Sequence, residues 1–245
     1  MKIVVPSYHR AELFKKKTLK YLLYCGVPLE EINVFVVEED YEKYKALWVN
    51  VIIGKRGIGN QRKFISEYYP EGEYIASFDD DLDCIYERAS WHRYRANIYK
   101  VIEDAIEEME KHKLALCGVR PSSNILCVRH LNADVWRCFV IWAFFVAKND
   151  RSIYTKHTAK EDYDRCAQHR LKYWATIRMN KYMLNTKYNS WEAWGLNDYY
   201  KSIDMNKHNE LLCQDYPQFF KTHRLKSWRI EIQVIPEKKN GEKCK

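Results

Sequence analysis

Four acidic side chains cluster directly after an apolar run in the first half of the chain. The run YIASF (residues 74–78) ends in Asp79, Asp80 and Asp81, and Asp83 follows two residues later. Adjacent carboxylates repel one another, so the cluster needs a compensating positive charge. Carboxylate oxygens are hard ligands for Mg²⁺ or Mn²⁺, and these ions keep open positions for phosphate oxygens. The cluster predicts a divalent cation that neutralises a nucleoside-diphosphate leaving group. The alternatives are an acidic surface turn and an isolated calcium site.

A second segment, GKRGIGNQRKF (residues 54–64), combines glycines with basic side chains. Glycine lets a ligand approach the backbone closely, and Arg56 and Arg62 can contact a base or phosphates. Gly57 and Gly59 lack the third glycine of a dinucleotide fingerprint, and the chain has no GxxxxGK[ST] motif. The segment therefore disfavours a dinucleotide-dependent oxidoreductase and a P-loop enzyme. The segment remains compatible with a nucleotide-binding loop or with a basic loop that only precedes a helix.

Strand and helix patterns alternate over the first 78 residues. The patterns predict strands at residues 2–5, 32–39, 49–54 and 73–78, with helices at 11–25, 39–47 and 57–69 between them. This alternation is typical of a mostly parallel sheet with helices on both faces, in which ligands bind beyond the carboxyl ends of the strands. Polar residues follow each predicted strand: Ser7, Tyr8 and Arg10; Glu38, Glu39 and Asp40; Lys55, Arg56 and Asn60; and the aspartates.

The second half of the chain has less regular patterns. They predict a helix at residues 97–113, strands at 114–119, 138–147 and 229–235, and helical structure over 159–185. Residues 186–227 are rich in Tyr, Trp and Asn and show little periodicity. Without a repeat or a linker, we expect one domain, with a nucleotide-binding half at residues 1–113 and an acceptor-binding half at 114–245.

Composition narrows the class of protein. The chain has 245 residues, and its formal net charge of +8 suits an anionic partner such as a nucleotide or nucleic acid, although a merely basic protein is equally compatible. Eight cysteines without a CxxC pair favour free thiols over a zinc ribbon, and hence an intracellular location. The longest apolar stretch, residues 140–147, is too short to cross a bilayer, so we expect no membrane partner. We expect a monomer or a weak oligomer.

The ordered set VPSYHR, VVEED, RGIGNQRKF and YIASFDDDLD, within residues 2–90, resembles the N-terminal half of glycosyltransferases with the GT-A fold. The resemblance implies a GT-A-like α/β domain that uses Mn²⁺ or Mg²⁺ and a nucleotide-sugar, with a UDP-sugar as the expected donor. It places metal binding at Asp79 and Asp81. Nucleotide-sugar binding falls on Pro6, Tyr8, Arg10, Glu38, Arg56, Arg62, Asp79 and Asp80. The segment KEDYD (residues 160–164) is similar to an acidic pair of that family, which makes Asp162 the general base if the reaction inverts the anomeric centre.

The basic charge, the VPSY start and the KEDYD segment are also similar to the base J glucosyltransferases and the TET-associated glycosyltransferases. This narrower resemblance implies a hydroxymethylpyrimidine in DNA as the acceptor, and such a base flips out of the duplex to be modified. Arg224 and Lys226 in KTHRLKSWR can hold phosphates, and Trp191 and Trp194 in SWEAWGLNDYY can stack on a base or a sugar. The alternatives are another acceptor, a nucleotidyltransferase, and a non-catalytic DNA-binding module.

Overall fold

Four parallel strands form one half of a large sheet in the computed structural model, which describes residues 1–127, 130–135, 139–140, 143–157, 159–186, 204–227 and 229–235. The four strands are β1 (Lys2–Pro6), β2 (Ile32–Val36), β3 (Asn50–Ile53) and β4 (Tyr74–Phe78), in the spatial order β3-β2-β1-β4. Val4 pairs with Asn33 of β2 on one side and with Ser77 of β4 on the other. The carboxyl ends of all four strands therefore meet at one edge of the sheet.

Short helices connect these strands. They are α1 (Ala11–Phe14), a π-helical turn (Lys15–Leu19), α2 (Lys20–Tyr24), α3 (Tyr41–Lys45) and α4 (Ile58–Tyr68), with 3₁₀ turns at Leu29–Glu31 and Glu38–Asp40. The first three run on as one helix, because each cap between them keeps helical dihedral angles. The predicted helices are thus present.

Five further strands extend the sheet to nine. They are β5 (Cys84–Ala89), β6 (His92–Arg95), β7 (Leu116–Arg120), β8 (Phe144–Lys148) and β9 (Ile177–Asn185), and the full order is β3-β2-β1-β4-β8-β7-β9-β5-β6. In this part only β7 and β9 pair in parallel, while β8, β5 and β6 pair antiparallel with their neighbours. The sheet is mixed around a parallel core.

The remaining elements cover the sheet or lie beside it. They are α5 (Ile98–His112), a 3₁₀ turn (Ile125–Cys127), α6 (Glu161–Tyr173), α7 (Met205–Asp215) and a separate antiparallel hairpin of β10 (Phe220–Arg224) and β11 (Ile230–Val234). Within the described residues, no helix is long and apolar enough to span a bilayer.

Apolar side chains alternate between the two faces of the sheet. Ile3 and Val5 pack in a core with Phe14 of α1, whereas Val4 packs on the opposite face with Ile65 of α4. Successive strand residues point to opposite faces, so both faces need a helical cover, and both have one. The prediction of an α/β fold with helices on both faces is confirmed.

Several boundaries differ from the prediction. The strand predicted at 138–147 begins only at Phe144, and within 159–185 the helix ends at Tyr173, after which residues 177–185 form β9. Trp174 has a left-handed φ of 63°, which stops the helix. Residues 177–185 form a strand because they pair with β7 and β5, which are distant in sequence. Residues 186–227, which show little periodicity, contain α7 and β10, and the hairpin of β5 and β6 was not predicted.

Candidate active site

The aspartate cluster lies at the sheet edge where the parallel strands end. Asp79 follows β4 directly, and its backbone N–H donates to the carbonyl of Ala143, 2.9 Å away. The Thr18 hydroxyl donates to the carbonyl of Asp79 at 2.7 Å and accepts from the backbone N–H of Leu82 at 3.0 Å. This fully buried hydroxyl therefore fixes the backbone turn that carries all three aspartates.

Asp80 points inward from the turn. Its carboxylate accepts from the Ser7 hydroxyl at 2.5 Å and from the Arg10 guanidinium at 3.0 Å, and only 7% of its side chain is exposed. The hydroxyl of Tyr44 lies 2.5 Å from the same Ser7 oxygen. Asp80 is therefore a buried link between the ends of β1 and β4.

Asp79 faces the opposite side of the turn, toward α4 and α6. Arg62 of α4 donates to Asp79 at 3.3 Å, to the Ser77 hydroxyl at 3.1 Å and to Glu161 of α6 at 3.0 Å. Burial would lower the pKa of the Arg62 guanidinium, but the charges of Glu161 and Asp79 outweigh burial and raise that pKa. Arg62 thus joins the aspartate turn to Glu161, which lies 99 positions after Arg62 in the chain.

Asp81 completes the cluster and is more open. Its carboxylate lies 3.6 Å from Arg10, and its backbone carbonyl accepts from Lys17 and from the Thr186 hydroxyl. Lys17 also pairs with Asp83 at 3.4 Å. Arg10, Arg62 and Lys17 therefore supply part of the positive charge that the adjacent carboxylates need.

The three carboxyl groups nevertheless stay easier to protonate than an aspartate in water. Burial is the main cause that raises the pKa of Asp79, of Asp80 and of Asp81. For Asp79 the charge of Arg62 opposes this rise, and for Asp81 the neighbouring Asp80 adds to it. A divalent cation would stabilise the charged forms further, so its binding to the cluster would still be favourable.

The donor set fits a divalent cation that is shared with a phosphate ligand. Asp79 and Asp81 keep 37% and 28% of their side chains exposed, whereas Asp80 is enclosed by its partners. Among the described residues no group of three His, Cys, Asp or Glu side chains is arranged to hold a metal. Mg²⁺ typically takes one or two carboxylates and completes its shell with phosphates and water, which matches this pair.

The ends of β1 and β3 meet beside the cluster. The Arg56 guanidinium lies 5.5 Å from the centre of the Tyr8 ring, so residues that follow β1 and β3 are in contact. Pro6 is buried and offers no exposed ring surface, while Glu38 is exposed on the 3₁₀ turn after β2. The neighbouring Asp40 binds His9 instead: its carboxylate accepts from the backbone N–H at 2.6 Å and contacts the ring at 2.9 Å.

The first turn of α6 carries the predicted base. Asp162 is half-buried next to Glu161, which Arg62 connects to the aspartates. Burial and then the charge of Glu161 raise the pKa of Asp162 to about 6. Arg165 holds Glu161 from the other side at 3.3 Å and lies over the Phe145 ring at 3.8 Å. A carboxylate with a pKa near neutrality is suited to proton transfer.

Two of the predicted acceptor residues, Arg224 and Lys226, belong to the β10–β11 hairpin. Arg224 ends β10, and Lys226 lies in the turn that follows it; both are exposed. Trp191 and Trp194 lie outside the described residues. The structure therefore brings Asp79, Asp80, Asp81, Arg10 and Arg62 together, and it leaves the assignment of the acceptor residues as a prediction.

Two supporting residues escaped the sequence analysis, Lys17 and Thr18. Both lie in the π-helical turn, a rare element that often occurs at functional sites. Thr18 offered a signal, because it lies four residues from both Phe14 and Leu22, on the apolar face of the predicted helix. A polar side chain on such a face needs a partner, and the aspartate turn supplies one.

The fold is that of the GT-A glycosyltransferases. Glucosyl-3-phosphoglycerate synthase of Mycobacterium tuberculosis, solved with Mn²⁺ and UDP-glucose, matches with a TM-score of 0.52 at 10% identity, covering 96% of this chain and 86% of that one. Its complex with Mn²⁺, UDP and glucosyl-3-phosphoglycerate matches at 0.50 and 11% identity, with the same coverage. Mannosyl-3-phosphoglycerate synthase of Rubrobacter xylanophilus matches at 0.50 and 11% identity, covering 96% and 84%. At these identities the likeness shows the fold.

The family follows from the sequence itself. Residues 1–195 match the family described as TET-Associated Glycosyltransferase, and the chain belongs to that family. The prediction that it is a glycosyltransferase is thereby confirmed. No curated protein sequence matches the chain.

Proposed function

We propose that this enzyme transfers a sugar from a UDP-sugar to the hydroxymethyl group of a pyrimidine base in DNA, with a divalent cation held by Asp79 and Asp81. The observation that carries the proposal is the exposed pair of carboxylates at the shared carboxyl edge of four parallel strands, flanked by Arg10 and Arg62. Such an edge is where open α/β sheets bind their ligands.

The donor is inferred from the site and from the neighbouring folds. Two of the solved structures hold Mn²⁺ with UDP or UDP-glucose. In this chain Tyr8 and Arg56 present a ring and a guanidinium at the ends of β1 and β3, and these groups suit a base or a phosphate. Bound there, a nucleotide would direct its diphosphate toward the aspartate cluster.

Asp79 and Asp81 would hold the cation, which when bound offsets the negative charge of the departing diphosphate. Arg10 and Arg62 remain beside it as fixed positive charges in a site that excludes much of the water. Buried Asp80 keeps Arg10 in place through its bond at 3.0 Å. These residues stabilise charge that develops on the leaving group, and they need little reorganisation to do so.

Asp162 would act on the acceptor. Its carboxylate takes the proton of the acceptor hydroxyl while the hydroxyl oxygen bonds to the anomeric carbon of the sugar. The bond from that carbon to the diphosphate breaks, and its electron pair leaves with the nucleoside diphosphate. This step describes an inverting reaction, in which a general base is required.

The DNA acceptor is inferred from the family name and from charge. The family is named for its association with TET, and the +8 net charge attracts a polyanion. Exposed Arg224 and Lys226 add basic side chains on the β10–β11 hairpin. The acceptor base would have to leave the duplex to reach the sheet edge.

The substitution Asp81→Asn tests the metal pair. We expect transfer to fall by about a hundredfold or more, because a Lewis acid is worth several kcal/mol and each 1.4 kcal/mol is a factor of ten. The matched control is Asp83→Asn, the same chemical change two residues away on a side chain that pairs with Lys17. Equal activity of Asp81→Asn and the wild type would contradict the metal assignment.

The acceptor and the donor are tested by offering a set of nucleotide-sugars with Mn²⁺ and duplex DNA that contains 5-hydroxymethylcytosine or 5-hydroxymethyluracil. A mass gain of one sugar on the modified base is the expected product. Release of nucleoside diphosphate without modified DNA would refute the acceptor and keep the donor. No reaction with any donor would refute both.

A further inference from the structure

The hairpin of β5 and β6 carries an unusual concentration of arginines and aromatic rings. Its sequence from Tyr86 to Arg95, YERASWHRYR, contains three arginines, three aromatic side chains and one acidic residue. All four residues of β6 are exposed, and β6 is the last strand of the sheet. None of the residues proposed for donor binding or for proton transfer lies here.

The strand pairing collects the three arginines on one face. Tyr86 pairs with Arg95 and Arg88 pairs with Arg93, so these four side chains point the same way. Like charges directly opposite each other destabilise a strand pair. The hairpin nevertheless places Arg88 opposite Arg93, which favours an anion that binds to both.

Aromatic rings support each arginine. The Arg93 guanidinium lies 4.6 Å from the Tyr86 ring centre, Arg95 lies 4.7 Å from Tyr24 of α2, and Arg88 lies 5.9 Å from Trp91. Stacking on a ring holds a guanidinium flat and leaves its N–H groups pointing outward at the edge. The result is a row of oriented donors instead of a set of freely moving charges.

Backbone carbonyls also hold two of these arginines, Arg88 and Arg93, through hydrogen bonds. Arg93 donates to the carbonyl of Ser123 at 2.6 Å, and Arg88 donates to Ser90 at 2.8 Å. Within the described part of the chain, no carboxylate forms an ion pair with Arg93 or Arg95. The positive charges of Arg93 and Arg95 are therefore held in place without an ion pair in the described part of the chain.

The hairpin begins at the active site. β5 starts at Cys84, directly after Asp83, whose backbone N–H donates to the carbonyl of Asn185. A six-residue strand spans about 20 Å, and the arginine face begins at the Tyr86–Arg95 pair, three residues after Asp83, and continues toward the tip at Trp91. Trp91 is 74% exposed there, in a two-residue turn in which Ser90 has a left-handed φ of 57°.

We propose that the Arg88–Arg93–Arg95 face of the β5–β6 hairpin binds the phosphate backbone of duplex DNA, with Trp91 at the tip. The identity of the partner rests on the proposed DNA acceptor. The face would hold the duplex beside the aspartate cluster while a base enters the site. An edge strand also needs charge to prevent pairing with other chains, but a single charged side chain serves that purpose. It does not require arginines on both strands of one face or rings beneath them.

The test measures binding of a short fluorescein-labelled duplex without hydroxymethylated bases, in the absence of donor. The variant replaces Arg88, Arg93 and Arg95 with Gln. The matched control replaces Lys2, Lys111 and Lys113 with Gln, which removes the same charge from three exposed positions before or at the start of β1 and β7, outside the hairpin. Fluorescence anisotropy is recorded from about 50 to 200 mM salt, where phosphate contacts change affinity most visibly.

We expect the arginine variant to bind at least tenfold more weakly at low salt, and its slope of log affinity against log salt to shrink by about 2 to 3, because each phosphate contact contributes about 0.9. The control should keep the wild-type slope. Equal losses in both variants, or an unchanged arginine variant, would overturn the proposal. Tighter binding to single-stranded DNA or to polyglutamate than to the duplex would also overturn it.

Failure of the docking surface is distinguishable from failure of the proposed reaction. UDP binding in the presence of Mn²⁺ should be equal in the wild type and the arginine variant, which verifies that the variant is folded. If the wild type binds duplex through the arginines but transfers no sugar to hydroxymethylated DNA, the reaction is refuted and the surface stands. If sugar is transferred and the arginine variant transfers it equally well at low DNA concentration, the surface is refuted and the reaction stands.

Discussion

Single residues at this site perform more than one task. Arg62 contacts Asp79, Ser77 and Glu161 at once, and only 11% of its side chain is exposed. A lysine could not reproduce this set, because it presents a point charge instead of a planar fork. The acidic residue proposed for proton transfer therefore lies one position from a residue that is tied to the aspartate cluster.

The raised pKa of Asp162 predicts how transfer depends on pH. A general base acts only in its deprotonated form, and burial raises the pKa of Asp162 to about 6. The turnover rate should therefore be constant above that pH and fall about tenfold per unit below it. Asp162→Ala should abolish transfer while leaving UDP affinity nearly unchanged.

The control is UDP affinity over the same pH range with Mn²⁺ present. Burial also raises the pKa of Asp79 and of Asp81, so protonation of these residues would weaken nucleotide binding. A parallel loss of turnover and UDP affinity would contradict the assignment to Asp162. A flat turnover profile would also contradict it.

At the scale of an element, the π-helical turn supports the edge of the sheet that carries the aspartates. A regular α-helix spaces its side chains by 3.6 residues, and a π turn inserts a wider step. In this chain that step accompanies two contacts, from Lys17 to the carbonyl of Asp81 and from Thr18 to the carbonyl of Asp79. The first helix therefore supports the aspartate turn of β4, although more than 60 residues separate them.

Thr18→Val tests this support with a side chain of the same shape. The change leaves the carbonyl of Asp79 and the N–H of Leu82 unpaired in a buried position, at a cost of about 1–3 kcal/mol. We expect Tm to fall by several degrees and UDP affinity with Mn²⁺ to fall as well. Thr18→Ser restores the hydroxyl and should recover the affinity. Wild-type affinity in the valine variant would show that the turn keeps its conformation without the hydroxyl.

At the scale of the molecule, the packing of α6 against the sheet buries an uncharged histidine. His169 is 3% exposed, and burial, followed by the nearby Arg165, lowers the pKa of its ring to about 3. Because an unfolded chain has a histidine pKa near 6.5, it binds the proton more readily than the folded chain does. The contribution of neutral His169 to the free energy of unfolding is therefore complete above about pH 6.5 and is lost as the pH falls toward 3.

His169→Gln measures this loss. Between pH 7 and pH 5 the wild type should lose about 2 kcal/mol more free energy of unfolding than the variant. The unfolded histidine binds a proton over the roughly 1.5 pH units below its pKa of about 6.5, whereas the folded histidine stays neutral. Urea unfolding at both values gives the difference, in which the other titrating groups cancel. His223→Gln, at an exposed position of β10, is the control and should behave as the wild type. Parallel pH profiles of wild type and His169→Gln would contradict the burial of an uncharged ring.

The sequence by itself determined the local elements of the first half and the chemistry at their ends. Apolar runs of four to six residues that alternate with helical patterns predict parallel strands, and Asp79–Asp81 follow one of them, so their place at the sheet edge needs no tertiary information. The order VPSYHR to DDDLD was sufficient for the glycosyltransferase class, which the family match confirms.

Only the tertiary structure decided which charges meet. Arg10, Lys17 and Arg62 reach the aspartates because the sheet order places β1 beside β4 and because α6 packs on β8. No local pattern encodes such pairings. The same reason explains why β9 was expected as a helix and why the β5–β6 hairpin was not expected. β5 and β9 pair with each other across about 100 residues of chain, from Cys84 with Asn185 to Glu87 with Tyr182, and local propensity cannot report a partner at that distance.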